Sequence, residues 1–173
     1  MKAIELCLLY ALAAGFLLLS AAAAQPVSDS TRVCASLPSR IEISVPTQHE
    51  NLQLQNCTPA SRISVTGSVE VKSNLNWNLD VAGSTPDGRM RSTENHELHN
   101  SMTVSAPGPS GGTVEVPGIQ SSPSVVALLS DIAPGDYSGS NAIGLTFGQL
   151  FEWDDYADDN YQLTVTLAAS PAT

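Results

Sequence analysis

The chain has 173 residues and a formal net charge of −10, from 17 acidic against 7 basic side chains. That length fits one domain able to bury a sizeable core. A surface of that sign repels phosphate backbones, which removes nucleic acid from the expected partners.

Residues 1–24 read as a secretory signal. Lys2 supplies the positive start, Leu6 to Leu19 an apolar stretch, and Ala22-Ala23-Ala24 a small-residue cleavage site before Gln25. A spanning helix needs roughly 20 apolar residues, more than this stretch offers, so cleavage is expected rather than anchoring. Cys7 lies inside the apolar stretch instead of just after it, so the ending of a lipid-anchored precursor is missing. No later run approaches spanning length, and the mature chain is expected to be secreted, without a transmembrane anchor: extracellular, at the cell surface or periplasmic.

Residues 25–39, with Pro26 and Pro38, read as an N-terminal tether, and 40–170 as the folded domain. Cleavage leaves Cys34 and Cys57, which are expected to pair in an oxidising compartment, a staple of roughly 3 kcal/mol in the chain-entropy model. A redox or metal role would call for CxxC spacing or a nearby set of His ligands. Asn56-Cys57-Thr58 matches the N-x-S/T glycosylation pattern, though a glycan on Asn56 would compete with that disulfide.

The domain alternates with period two. Ile41, Ile43 and Val45 form the apolar face of a short strand. From Ile63 to Val81 the odd positions stay apolar or small, too long a run for one flat strand, so a bend is expected near Gly67 or Ser73. Within it, "NLNWNLDV" places Asn74, Asn76, Asn78 and Asp80 opposite Leu75, Trp77, Leu79 and Val81. Trp77 should then lie in the core, with the amides outside. Turn signals follow at 82–88, 106–112, 117–123 and 133–136. Between and after them lie the candidate strands "LHNSMTVS", "TVEV", "SVVALLS", "YSGSNAIGLTF" and "YQLTVTL". With no sustained 3.6-residue period, the expected fold is an all-β sandwich.

Asp131, Gly135 and Tyr137 in "SDIAPGDYSG" resemble the tyrosine corner of immunoglobulin-like Greek-key domains, where the phenol bonds back to the chain and pins a crossover. That resemblance implies an immunoglobulin-like Greek-key sandwich, and it concerns topology rather than activity.

Three polar groupings are candidate sites. "EWDDYADDN" holds Glu152, Asp154, Asp155, Asp158 and Asp159, oxygen donors suited to Ca²⁺, although a solvated loop explains the same run and the EF-hand spacing is missing. Trp153 and Tyr156 in this loop, together with Asn74, Asn76 and Asn78, are candidate glycan contacts. "ENHELH" brings His96 and His99 close in sequence, but in a strand they would face opposite ways, and zinc would need His49 or distant carboxylates. The chain has no G-x-S-x-G elbow, and its many carboxylates single out no hydrolytic pair.

"NWNLDV…DGRM", "PGDYSGS" and "YQLTVTL" are similar to stretches of secreted prokaryotic β-sandwich surface proteins: the spore coat protein U family with its archaic pilin relatives, and WxL-type surface domains. Pro134, Gly135 and Tyr137 carry the first likeness and Trp77-Asn78-Leu79 the second. The chain departs from the first by the strand after the acidic loop, and from the second because Trp153 is followed by Asp154 and Asp155. The resemblance implies a non-catalytic protein with a structural or adhesive role, a filament or coat component meeting itself or other surface proteins. The alternative is a module for carbohydrate or cell-wall polysaccharide. No cofactor is expected unless the acidic loop takes calcium.

Overall fold

The structure, a computed structural model, describes residues 35–108, 111–158 and 160–173. The expected leader 1–24, the tether up to residue 34 and Cys34 itself lie outside the described residues. Leu37–Thr173 form one compact unit. It is nearly all β, with antiparallel sheets. The strands are β1 (Ile41–Ser44), β2 (Ser61–Ser73), β3 (Trp77–Gly83), β4 (Arg89–Arg91), β5 (Glu97–Ser101), β6 (Thr103–Ser105), β7 (Thr113–Glu115), β8 (Val126–Ile132), β9 (Gly135–Tyr137), β10 (Ile143–Phe151) and β11 (Val165–Pro171). One sheet runs β1-β2-β10-β6-β7, with β9 also on β2, a second runs β11-β3-β8, and β4 with β5 forms a separate ribbon. Among the described residues no helix is long and apolar enough to cross a membrane.

The long alternating run breaks at Ser73. The Ser73 hydroxyl accepts from Leu75 N at 3.2 Å and donates to Leu75 O at 2.6 Å, a local turn that ends β2. β3 then starts in the other sheet without a change of parity. Val69 and Val71 of β2 and Trp77, Leu79 and Val81 of β3 are therefore all fully buried in one cluster, joined by Leu145 of β10, Val104 of β6 and Leu128 and Leu129 of β8. Both sheets thus contribute to a single core.

Trp77 is the largest buried side chain. Its ring meets Tyr137 edge-on, with centroids 5.6 Å apart and planes at 65°. The Tyr137 hydroxyl donates to Ala133 O at 2.8 Å, so the ring folds back over its own turn. Gly135 makes room for it: a Cβ there would stand 3.1 Å from the Tyr137 ring. The indole Nε1 has no hydrogen-bond partner among the described residues, an orphan donor that lowers the net gain from burial.

Three segments depart from the simple period-two reading. The run 98–105 divides at Met102, whose N–H donates to Gly88 O at 3.3 Å and whose carbonyl accepts from Val116 N at 2.8 Å, so the chain passes there from the β4–β5 ribbon to the large sheet. Gly88 permits the crossing, since at its φ of +75° a Cβ would lie 1.8 Å from Val116 O. The run 137–147 divides into β9 and β10 around a 3-10 turn at Gly139–Asn141. The last strand starts only at Val165, because Gln162 is taken by a separate bridge to Arg91.

Replacing Trp77 by Ala is expected to cost about 3–5 kcal/mol in denaturant unfolding. Tyr137→Phe, which keeps the ring and removes only the bond to Ala133, should cost about 1 kcal/mol. Equal losses for the two variants would contradict this division of labour.

Candidate functional site

The residues between β10 and β11 form a loop clamped at both ends. One end leaves β10 at Phe151, which pairs with Ser61 at the start of β2. The other is fixed where Gln162 and Arg91 exchange backbone hydrogen bonds of 2.8 and 3.0 Å. Asp155 ties down the middle, one carboxylate oxygen accepting from His99 N and the other from Glu152 N, both at 2.7 Å. Ionised acceptors on backbone donors are among the stronger hydrogen bonds. The Tyr161 hydroxyl donates to Tyr156 O at 3.0 Å, and the Asn100 amide reaches Glu152 Oε1 at 3.4 Å.

Both histidines of "ENHELH" turn toward this loop. The His96 ring stacks on Tyr156, 4.2 Å between centroids and 7° between planes, and its Nδ1 lies 3.0 Å from Asp158 Oδ2. His99 Nδ1 lies 3.7 Å from Asp154 Oδ2. Strand parity would have sent the two rings to opposite faces. It does not apply, because His96 precedes β5 in a tight turn built on Asn95 at φ 67°, with Ser92 N bonded to His96 O and Asn95 N to Ser92 O.

The loop carboxylates are thus directed to separate partners: Asp155 to backbone N–H groups, Asp158 and Asp154 to one histidine each, Glu152 to Asn100. Asp159 lies outside the described residues. Among the described residues no group of three or more His, Cys, Asp or Glu side chains is placed to hold a metal ion. The loop's negative field is felt by Tyr161, whose phenol is raised above its ordinary value first by burial and then by the charges of Asp158 and Asp155.

Against this anchoring, Trp153 is 80 % exposed and Tyr156 66 % exposed. The loop holds its backbone and leaves an indole bare. The amide row is elsewhere. Asn74 accepts from Arg40 N at 2.8 Å and donates to Pro38 O at 2.7 Å. Asn76 donates to Asp131 Oδ1 at 2.7 Å, and Asn78 Oδ1 accepts from Asp131 N at 2.9 Å, which together hold Asp131 at φ 53°. Asn74 follows the Ser73 end of β2, whereas Trp153 follows the residue paired with Ser61. The length of β2, roughly 40 Å of extended chain, separates them. The sugar-gripping arrangement of amides beside an exposed aromatic is therefore not brought together.

Asn56 is exposed with a φ of 56°, and Thr58 Oγ1 lies 2.9 Å from Ser61 Oγ. Cys57 is exposed, its thiol pushed up by the partial burial it has. Sequence reasoning missed Asn100 and Gln149. Gln149 is fully buried at the base of the loop, donating to Asn100 O and Leu150 O, both at 2.9 Å, and so ties β10 to β5. A polar residue at an inward odd position of β10 was the available signal.

No family model matches the chain, and no curated protein matches it.

Two outcomes test the clamp. Asp155→Ala should speed hydrogen exchange at the His99 and Glu152 amides by about tenfold or more, while leaving β3 amides protected. Tyr161 is raised in the folded chain, so its contribution is complete below the ordinary value of about 10 and is lost as pH climbs through the raised one. Alkaline titration followed by phenolate absorbance should therefore release the loop before the core, with Trp153 emission changing ahead of global unfolding.

Proposed function

We propose that the chain is a non-catalytic, secreted surface protein with an adhesive role, its scaffold an immunoglobulin-like Greek-key sandwich and its binding element the loop around Trp153. The observation that carries this reading is an indole 80 % exposed on a backbone fixed by Asp155, Tyr161 and the Arg91–Gln162 bridge. Tryptophan and tyrosine dominate the energetics of protein interfaces, and a preorganised loop loses little entropy on binding. A large aromatic left bare on a flexible tip would carry no such meaning.

Other features support the same reading. The His96 ring helps to hold the loop, stacked on Tyr156 and 3.0 Å from Asp158, and the His99 backbone N–H is taken by Asp155. Export by way of residues 1–24 and a Cys34–Cys57 staple belong to this proposal, as does the kinship with coat protein U-like or WxL-type surface proteins. A carbohydrate module is the second reading. Its support narrows to the same loop, where a bare indole face beside Glu152 and Asp154 offers stacking and hydroxyl acceptors.

Sedimentation of the purified full chain with cell envelopes from the source cells tests the adhesive role. Trp153→Ala and Tyr156→Ala should each lower the retained fraction about fivefold or more, as removal of an interface anchor does. Retention equal to the unsubstituted chain would overturn it.

A further inference from the structure

We infer that the Trp153 face of the loop docks a cationic polypeptide segment, an arginine or lysine side chain lying on the indole with its charge between the carboxylates of residues 152 and 154; this rests on the loop being the binding element proposed above.

Three observations carry the choice of partner. The exposed ring is flanked in sequence by Glu152 and Asp154, and the Asp154 side chain is 70 % exposed, its contact with His99 a long one at 3.7 Å. Arg91, a basic residue clamping the loop, is already committed, its guanidinium paired with Glu97 and bonded to Asn95 Oδ1 at 3.4 Å. The loop's field is registered on Tyr161, and the chain as a whole carries −10. A π face next in sequence to the exposed Asp154 carboxylate, with the half-buried Glu152 on its other side, is complementary to a guanidinium, which stacks flat on an indole while its N–H groups reach a neighbouring carboxylate. The same charge repels an anionic lipid surface, and a neutral glycan could use the carboxylates as hydroxyl acceptors but would gain no net Coulomb attraction from them.

The test uses the full chain with a fluorescently labelled oligoarginine peptide, binding being followed by anisotropy at low and at raised salt. The unsubstituted chain should bind, more weakly as salt increases. Trp153→Ala, which leaves the net charge unchanged, should weaken binding roughly tenfold. Glu152→Gln combined with Asp154→Asn should weaken it comparably and flatten the salt dependence. Near-UV circular dichroism from buried Trp77 reports that each variant is folded.

Equal affinity for the Trp153→Ala variant would overturn the inference, since attraction would then follow overall charge alone. Quenching of Trp153 by soluble wall glycan, without binding of the peptide, would overturn it in favour of sugar stacking. If Trp153→Ala abolishes retention on envelopes while the peptide fails to bind, the adhesive reading stands and the cationic partner falls. If neither assay responds to Trp153→Ala, both fall.

Discussion

Everything in the body depends on how the chain turns at Ser73. Its hydroxyl satisfies both the N–H and the carbonyl of Leu75, so the backbone leaves one sheet and enters the other within three residues. Parity survives that corner. Because side chains alternate strictly along a strand, a slip of one residue there would place Trp77, Leu79 and Val81 in water and Asn76, Asn78 and Asp80 in the core. Burying the Trp77 ring against Tyr137 fixes the register from inside, and Asn74 fixes it from outside through Pro38 and Arg40.

The same economy of polar groups runs down β3. Asn76 and Asn78 hold Asp131 in the left-handed region, where a non-glycine residue needs local compensation, and Ser170 Oγ donates to Asp80 Oδ2 at 2.9 Å across to β11. Asn76, Asn78 and Asp80 each fasten a neighbouring segment. A row of amides that reads in the sequence as a surface seeking a partner is, in the folded chain, largely a seam. The acidic loop follows the same logic, its carboxylates serving backbone N–H groups and histidine rings while the aromatic residues remain outside.

How much was legible follows from which interactions are local. The two-residue rhythm of 63–81, the inward Trp77 and the all-β class could be read because alternation is a property of consecutive residues; the bend was read only to Gly67 or Ser73, and β2 passes straight through Gly67 and ends at Ser73. The resemblance of "SDIAPGDYSG" to a tyrosine corner implied that the Tyr137 phenol bonds back to the chain, as it does to Ala133 O, whereas its packing on Trp77 across 60 positions could not be read. The destination of the amides was not, since Asn76 meets a residue 55 positions away and nothing in "NLNWNL" announces Asp131. Likewise, the union of "ENHELH" with "EWDDYADD" depends on pairings across 56 and 62 positions, and on a turn at Asn95 that removes His96 from strand parity. The strand from 161 appeared to start four residues early because Gln162 alternates correctly but is claimed by Arg91.

The arrangement gives the body two unlike ends. At the Ser73 corner the chain enters through Pro38–Arg40, bound by Asn74, and it leaves at Pro171 and Ala172, paired with Trp77 and Asn76. Both chain termini of the body are therefore at the end where the amides are engaged. Trp153 stands at the Ser61 end of β2, the end from which neither terminus departs. The amide seam and the Trp153 loop lie toward opposite ends of β2, so a substitution at the seam should alter stability without changing the loop's exposed indole, and one at Trp153 the reverse.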